Sequence, residues 1–442
     1  MKRYGRILAA IASFGCASAA SPDAPKLTAH IYNSGFELSH GTFNGMLRAS
    51  DGKIYYVLCA GTIDTGAQMY SFDPATEKIT HVGDLTEAAG EKGLKAIPQG
   101  KSHVNFYESN GKLYFATHFG YYSIVNGEER PGVPAEGYKP YPGGHFLAYD
   151  MASGKFENLA VAPAGQGILA MTMDATRGRL YGLTWPSGLF LRYDLETKNL
   201  KNLGPISKEG EGGHGETYRV LCRALVVDPA DGSAYVTTSE GDILRYRYDR
   251  DALETVRGDN LRKDYFGVFN PKTSGHMGYN WRQALWYEPE KAVYATHGNS
   301  GYLLRFDPHA ERVDVVERIT SEPSRHSGMY DKFSYGYLGF ALGPDGHTLY
   351  YLTGGAIYEN GRPVVSDKKI KVGSKGKEDL NLVTYDITGA KYIDHGAIFL
   401  ENGQRPYDVN SIAVTADGTV YSLFPVTENG RFRVDLVRIR VP

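Results

Sequence analysis

One short pattern recurs seven times along the chain: a polar turn, an apolar residue, a tyrosine and a further strand residue. It reads GKIYYV at Tyr55, GKLYFA at Tyr114, GRLYGL at Tyr181, GSAYVT at Tyr235, KAVYAT at Tyr294, HTLYYL at Tyr350 and GTVYSL at Tyr421. The copies are separated by 59, 67, 54, 59, 56 and 71 residues. An apolar run and a turn such as SDG, SNG, PADG or PDG precede the copies. An aromatic–Asp strand follows six of them: MYSFD, FLAYD, LFLRYD, RYRYD, LLRFD and LVTYD. A further short run, as in KITHVGDL, closes most copies. Four short antiparallel strands repeated seven times is the pattern of a seven-bladed β-propeller, in which each unit buries its faces only by stacking on its neighbours.

The seventh copy lacks an outermost strand, while residues 27–35 (LTAHIYNSG) are left over at the start of the chain. The N-terminal strand is therefore expected to complete the last blade and close the ring. Residues 21–442 then form a single all-β domain, although 442 residues is length enough for two or three. A helical fold is excluded because Pro and Gly interrupt every window long enough to hold a helix. The seven tyrosines are expected to pack between blades.

Residues 1–20 have the three parts of an export signal: Lys2, Arg3 and Arg6, an apolar stretch over 7–14, and the small residues Ser18-Ala19-Ala20. A secreted or periplasmic protein is expected, with lipid anchoring through Cys16 as the second reading. No later apolar stretch is long enough to span a bilayer. Only Cys59 and Cys222 remain after cleavage, too few for a disulfide scaffold, so a large packed core must supply the stability. The formal charge of −2, with 22% charged residues, gives no basic or acidic tract to suggest nucleic acid or a lipid surface as partner.

In a four-stranded meander blade the turns between the first two strands lie on one face, while the loops between second and third strands and the connections between blades share the other. All seven first turns are short. The long insertions fall at 119–145 and 354–381, between second and third strands, and at 204–218, 254–279 and 319–335, between blades. A scaffold with one economical and one elaborated face carries its site on the elaborated one. His103 begins the first strand of the second repeat and His118 ends its second strand, so both belong to that face, and the repeat demands neither. The same end holds His40, Tyr218, Arg219, Arg223, Tyr279, Asn280, Arg282, Tyr337, Tyr407 and Asn410. Tyr, His, Arg and Asn with few carboxylates suit an anionic ligand.

Glycoside hydrolysis uses two carboxylates, and no acidic pair stands among these positions. A serine nucleophile elbow and a phosphate-cradling glycine loop are also missing from the sequence. The residue types fit β-elimination at a uronic acid. Arg, Asn or a protonated His neutralises the carboxylate, a His or Tyr removes the adjacent proton, and a Tyr or His protonates the departing oxygen.

The stretch KSHVNFYESNGKLYFATH, residues 101–118, resembles the corresponding segment of the propeller-fold polysaccharide lyases, notably the ulvan lyases. The resemblance implies a channel-mouth site in which His103 and His118 are the active-site histidines. By position, Tyr218 or Tyr279 would be the catalytic tyrosine and Arg223 or Arg282 the neutralising arginine. His40, Arg219, Asn280, Tyr337, Tyr407 and Asn410 would bind an acidic polysaccharide or oligosaccharide. Some members of that family carry a structural zinc, for which Cys222, His214 and His276 are possible ligands, although they match no compact zinc spacing; the sequence itself requires no cofactor. A non-catalytic propeller that binds glycans or a protein through the same face is the alternative. A metal-dependent hydrolase or lactonase ranks below it, since Asn44 and Asn410 near the axis have no acidic partner in the pattern.

Overall fold

The computed structural model describes residues 26–125, 128–274, 276–322, 325, 339–356, 358–359, 362–363, 378–406 and 409–441. Five of the repeats form separate four-stranded antiparallel sheets with the strands in chain order. The first comprises Met46–Arg48, Ile54–Leu58, Gln68–Asp73 and Lys78–Asp84. The second holds Tyr107–Ser109, Lys112–Ala116, His145–Asp150 and Lys155–Val161, with the small hairpin Tyr122–Val125 and Glu128–Pro131 inserted. The third runs from Gly167–Asp174 to Asn199–Pro205, the fourth from Val226–Val227 to Ala252–Thr255, and the fifth from Trp281–Tyr287 to Arg312–Arg318.

The last two repeats share one eight-stranded sheet. In it the N-terminal strand Lys26–Tyr32 lies between Lys391–Leu400, to which it is parallel, and Arg431–Ile439, to which it is antiparallel. The leftover strand at the start of the chain thus pairs with the last strand of the seventh repeat. This all-β arrangement of meander sheets is consistent with a β-propeller.

The repeated residues explain the repeated geometry. The turn aspartates Asp51, Asp345 and Asp417 accept backbone N–H bonds from Lys53, Thr348 and Thr419 two or three residues on. The glycines that follow, Gly52, Gly346 and Gly418, have φ of 84°, 75° and 80°, a left-handed backbone that a side chain disfavours. The aspartates of the aromatic–Asp strands do the same at the next turn. Asp73, Asp150, Asp194, Asp307 and Asp386 each accept from backbone N–H groups two or three residues on.

Four of the repeat tyrosines meet an aromatic ring of a neighbouring repeat. Tyr55 meets Tyr149 of the next repeat at 5.9 Å between ring centroids, Tyr181 meets Tyr246 at 5.1 Å and Tyr235 meets Phe306 at 5.5 Å. Tyr421 of the last repeat meets Phe72 of the first at 5.5 Å. Such pairs add about 1 kcal/mol each beyond the apolar area they bury. The inner strands leave a cavity of about 480 Å³ whose walls include one segment from each of the seven repeats, among them Met46, Phe106, Thr172, Val226, Leu285, Phe340 and Ile412.

Candidate functional site

At the entrance of the second sheet, residues 100–102 run beside the end of the second strand. The Lys101 and His118 backbones exchange two hydrogen bonds, of 2.9 Å and 2.8 Å. The approach is very close: a Cβ on Gly120 would stand 1.9 Å from the Ala60 carbonyl oxygen, so only glycine fits there. This crossing brings His103 and His118 to 5.9 Å between ring centroids, 7% and 1% exposed. Gly167 lies flat against the His118 ring, where a Cβ would come within 2.7 Å of Nδ1. Trp185, at 5.8 Å, also packs on that ring.

Hydrogen bonds set the tautomers. His103 Nδ1–H donates to the Leu169 carbonyl at 2.8 Å, and His118 Nδ1–H donates to the Phe119 carbonyl at 3.1 Å, with the Tyr122 hydroxyl at 3.4 Å. A ring that donates from Nδ1 and is neutral keeps its lone pair on Nε2. Both are held neutral. Burial first, then the positive charges of Lys101, Arg282 and Arg223 together with the neighbouring His118, keep His103 well below its usual value. Burial and the charge of Lys101 do the same for His118, with Arg223 adding to them against the Phe119 hydrogen bond.

Three buried cations bear on the pair, Lys101 and Arg223 on both rings and Arg282 on His103. The Lys101 ammonium stands 4.0 Å from the Phe43 ring centroid and 4.4 Å from that of Tyr122. Arg223 donates to the Leu221 carbonyl at 2.6 Å and pairs with Glu211 at 2.7 Å. Glu211 also accepts from the Trp185 indole at 2.8 Å and from the Leu221 N–H at 2.9 Å. Arg282 donates to Asn410 Oδ1 at 3.0 Å, and Asn410 donates to the Thr42 carbonyl at 2.8 Å. Gln283 donates to Asn44 at 3.2 Å, and Asn44 donates to the His103 carbonyl at 3.3 Å. Gln283 and Asn410 line the inner cavity too, so this polar band stands between the cavity and the imidazoles.

The other described sequence candidates have the following surroundings. Tyr218 packs with Val220 and Met277. Arg219 is paired with Glu240 and donates to the Glu216 and Tyr218 carbonyls. The Tyr279 hydroxyl accepts the Phe269 N–H at 3.3 Å. Asn280 is fully buried and bridges Thr237 to the Val220 and Met277 carbonyls. His40 is exposed, in a surface trough that also contains Tyr122. Tyr337 and Tyr407 lie outside the described residues.

The three possible zinc ligands do not assemble. The Cys222 thiol donates to the Ala224 carbonyl at 3.2 Å, His214 meets Arg130 at 3.0 Å, and His276 accepts the Gly278 N–H at 2.9 Å. Among the described residues no three His, Cys, Asp or Glu side chains gather as a metal site. Nor, among them, is any helix long and apolar enough to cross a membrane.

No family model matches this sequence, and no curated protein does. Solved structures do resemble it. A chain of a mitotic checkpoint complex shares 10% identity, with 98% of each chain covered and a TM-score of 0.50. An oligogalacturonate lyase from Vibrio parahaemolyticus shares 10% identity over 95% of this chain and 98% of its own, with a TM-score of 0.48. Hydrazine synthase from Kuenenia stuttgartiensis shares 13% identity over 71% and 73%, with a TM-score of 0.43. The likeness is one of fold.

Sequence reasoning passed over Lys101, Tyr122, Trp185 and Glu211. Lys101 was legible as the residue two before His103. Glu211 and Tyr122 sit in insertions without period, and nothing local marks them. A further histidine, His297, ends the tripeptide Ala295-Thr296-His297, which repeats Ala116-Thr117-His118. It is buried, stacks on Phe266 at 4.1 Å and bonds Ser300 at 2.8 Å.

Proposed function

We propose that the chain is a closed seven-bladed propeller, exported by its first 20 residues, that cleaves a uronate-containing polysaccharide by β-elimination. Support for the ring comes from the cavity walled by all seven repeats, the Tyr421–Phe72 contact between last and first repeats, and the pairing of Lys26–Tyr32 with Arg431–Ile439. The single observation that carries the chemistry is the pair of neutral imidazoles 5.9 Å apart under the positive field of Lys101, Arg223 and Arg282.

That field attracts a carboxylate and stabilises the charge that develops when the adjacent carbon loses its proton. An imidazole Nε2 takes that proton. The electron pair forms the new carbon–carbon double bond as the bond to the glycosidic oxygen breaks, and the imidazolium just formed returns the proton to that oxygen. Burial and the nearby cations keep both imidazoles unprotonated at neutral pH, which leaves Nε2 open to a proton but makes each ring a weaker base, so proton transfer requires the substrate carboxylate to offset those cations. The 101–118 segment that resembles propeller lyases is the segment that supplies both imidazoles and Lys101. The reading needs no metal.

The test is incubation of the mature protein with pectic, algal and glycosaminoglycan polymers, following the ultraviolet absorbance of the unsaturated product. Product is expected from at least one polymer, and His103→Ala or His118→Ala should lower its rate by a hundredfold or more, within the range for loss of an acid–base group. No product from any of them would leave a glycan-binding propeller as the better reading.

A further inference from the structure

Beside the imidazole pair lies a trough of about 310 Å³, bounded by Glu37, Leu38, His40, Thr62, Tyr122 and Phe432. Gly61 and Gly120 also line it, and Gly120 tolerates no side chain because Ala60 presses against it. The trough and the candidate site share a wall: the Tyr122 hydroxyl reaches His118, while the Tyr122 ring carries Lys101 at 4.4 Å. A polymer threaded past His118 would therefore lay its next residue here.

Two properties of the trough select what that residue can be. Phe432 and Leu38 are 37% and 53% exposed and, with Tyr122, offer apolar faces to the C–H side of a sugar ring. The volume is at the small end of ligand cavities, room for one ring rather than several. Among the described residues no Lys or Arg lines the trough, and Glu37 is the carboxylate there. A second carboxylate or sulfate on the neighbouring ring would face that charge with the His40 imidazole beside it and Lys101 behind the Tyr122 ring, whereas the uronate at the imidazoles meets the fixed charges of Lys101, Arg223 and Arg282.

We propose that this trough is the subsite for an uncharged sugar, so that the preferred polymer alternates uronate with neutral residues instead of carrying an anionic group on every ring. The inference rests on the proposed function for its class of ligand, and binding tests it separately from cleavage. Calorimetry at low ionic strength would compare a galacturonate tetramer with a tetramer of uronate alternating with neutral sugar. The alternating tetramer should bind at least fivefold more tightly. Glu37→Gln should narrow the gap to about twofold, and Phe432→Ala should weaken the alternating tetramer about tenfold. Both side chains are exposed, so neither variant threatens the fold.

Equal or tighter binding of the galacturonate tetramer, a gap untouched by Glu37→Gln, or no binding of either would overturn the subsite. Preferential binding without product would leave the subsite standing and remove the lyase reaction. Cleavage of both polymers with equal binding would do the reverse.

Discussion

Glu211 Oε1 lies 2.7 Å from the Arg223 guanidinium, and the same carboxylate takes the Trp185 indole N–H at 2.8 Å. One side chain from the 204–218 insertion thus holds both Arg223, whose charge acts on both imidazoles, and the ring that packs on His118. The insertion is itself clasped by the hairpin after His118, whose Arg130 donates to the Glu211 carbonyl at 2.6 Å and the Gly213 carbonyl at 3.1 Å.

Removing that carboxylate should be costly. Arg223 and Glu211 are both largely buried, and breaking such a pair costs about 3–5 kcal/mol. Glu211→Ala is expected to lower unfolding stability by about that much, and Glu211→Gln, which keeps a hydrogen-bond acceptor, by about 1–2 kcal/mol. Urea unfolding of the three proteins checks the order; an Ala variant as stable as the parent would show that the pair contributes nothing.

Acid should destabilise the fold through its buried histidines. His103 and His118 are held well below their usual values, and burial brings His297 down to about 3. The unfolded chain titrates these groups near 6.5, so below that pH it binds protons that the folded chain refuses. Their contribution is whole above about 6.5 and is lost as pH falls toward the folded values, at about 1.4 kcal/mol per pH unit for each histidine. From pH 7 to 5 each should contribute roughly 2 kcal/mol of loss. Comparing the pH dependence of unfolding with that of His297→Gln checks this, since the variant should show a shallower slope by one histidine.

Lys101 adds to burial in keeping both imidazoles unprotonated. Its charge lowers His103 and His118 alike, and it stands over Phe43 and Tyr122. Lys101→Met keeps most of the packing volume and removes the charge, so both histidines should titrate at a higher pH than in the parent. Imidazole proton shifts followed by NMR between pH 3 and about 8 measure it directly, and unchanged titration would refute the electrostatic role.

Gly120 makes the crossing possible. A Cβ there would meet the Ala60 carbonyl at 1.9 Å, and backbone rather than a movable side chain blocks it. Gly120→Ala should cost about 1–3 kcal/mol as an overpacked substitution. It should also push residues 100–101 away from His118, reducing product formation or ligand binding more than Glu37→Gln does. Thermal unfolding and activity measured together separate the two effects.

Much of the architecture was legible because its signals are local. An aspartate that caps a turn two residues on, a glycine with positive φ beside it, and a tyrosine one step into the next strand act within a few residues. Repetition then multiplies the signal, as at Asp51-Gly52-Tyr55 and Asp417-Gly418-Tyr421. The four-stranded sheets and the pairing of Lys26–Tyr32 with the last strand follow from that arithmetic. His103 and His118 were also visible, as residues the repeat does not require at two ends that must lie together.

What the sequence by itself determined was the repeating strand plan and the end of the sheets at which polar side chains collect. Only the tertiary structure decided which of them meet. Arg219 and Arg223 are four residues apart, yet one is taken by Glu240 and the other by Glu211, and only Arg223 is held where its charge reaches the imidazoles. The physical reason is range: turn and strand preferences act between chain neighbours, whereas ion pairs, ring stacking and desolvation depend on distances that insertions without period set only once the sheets have packed.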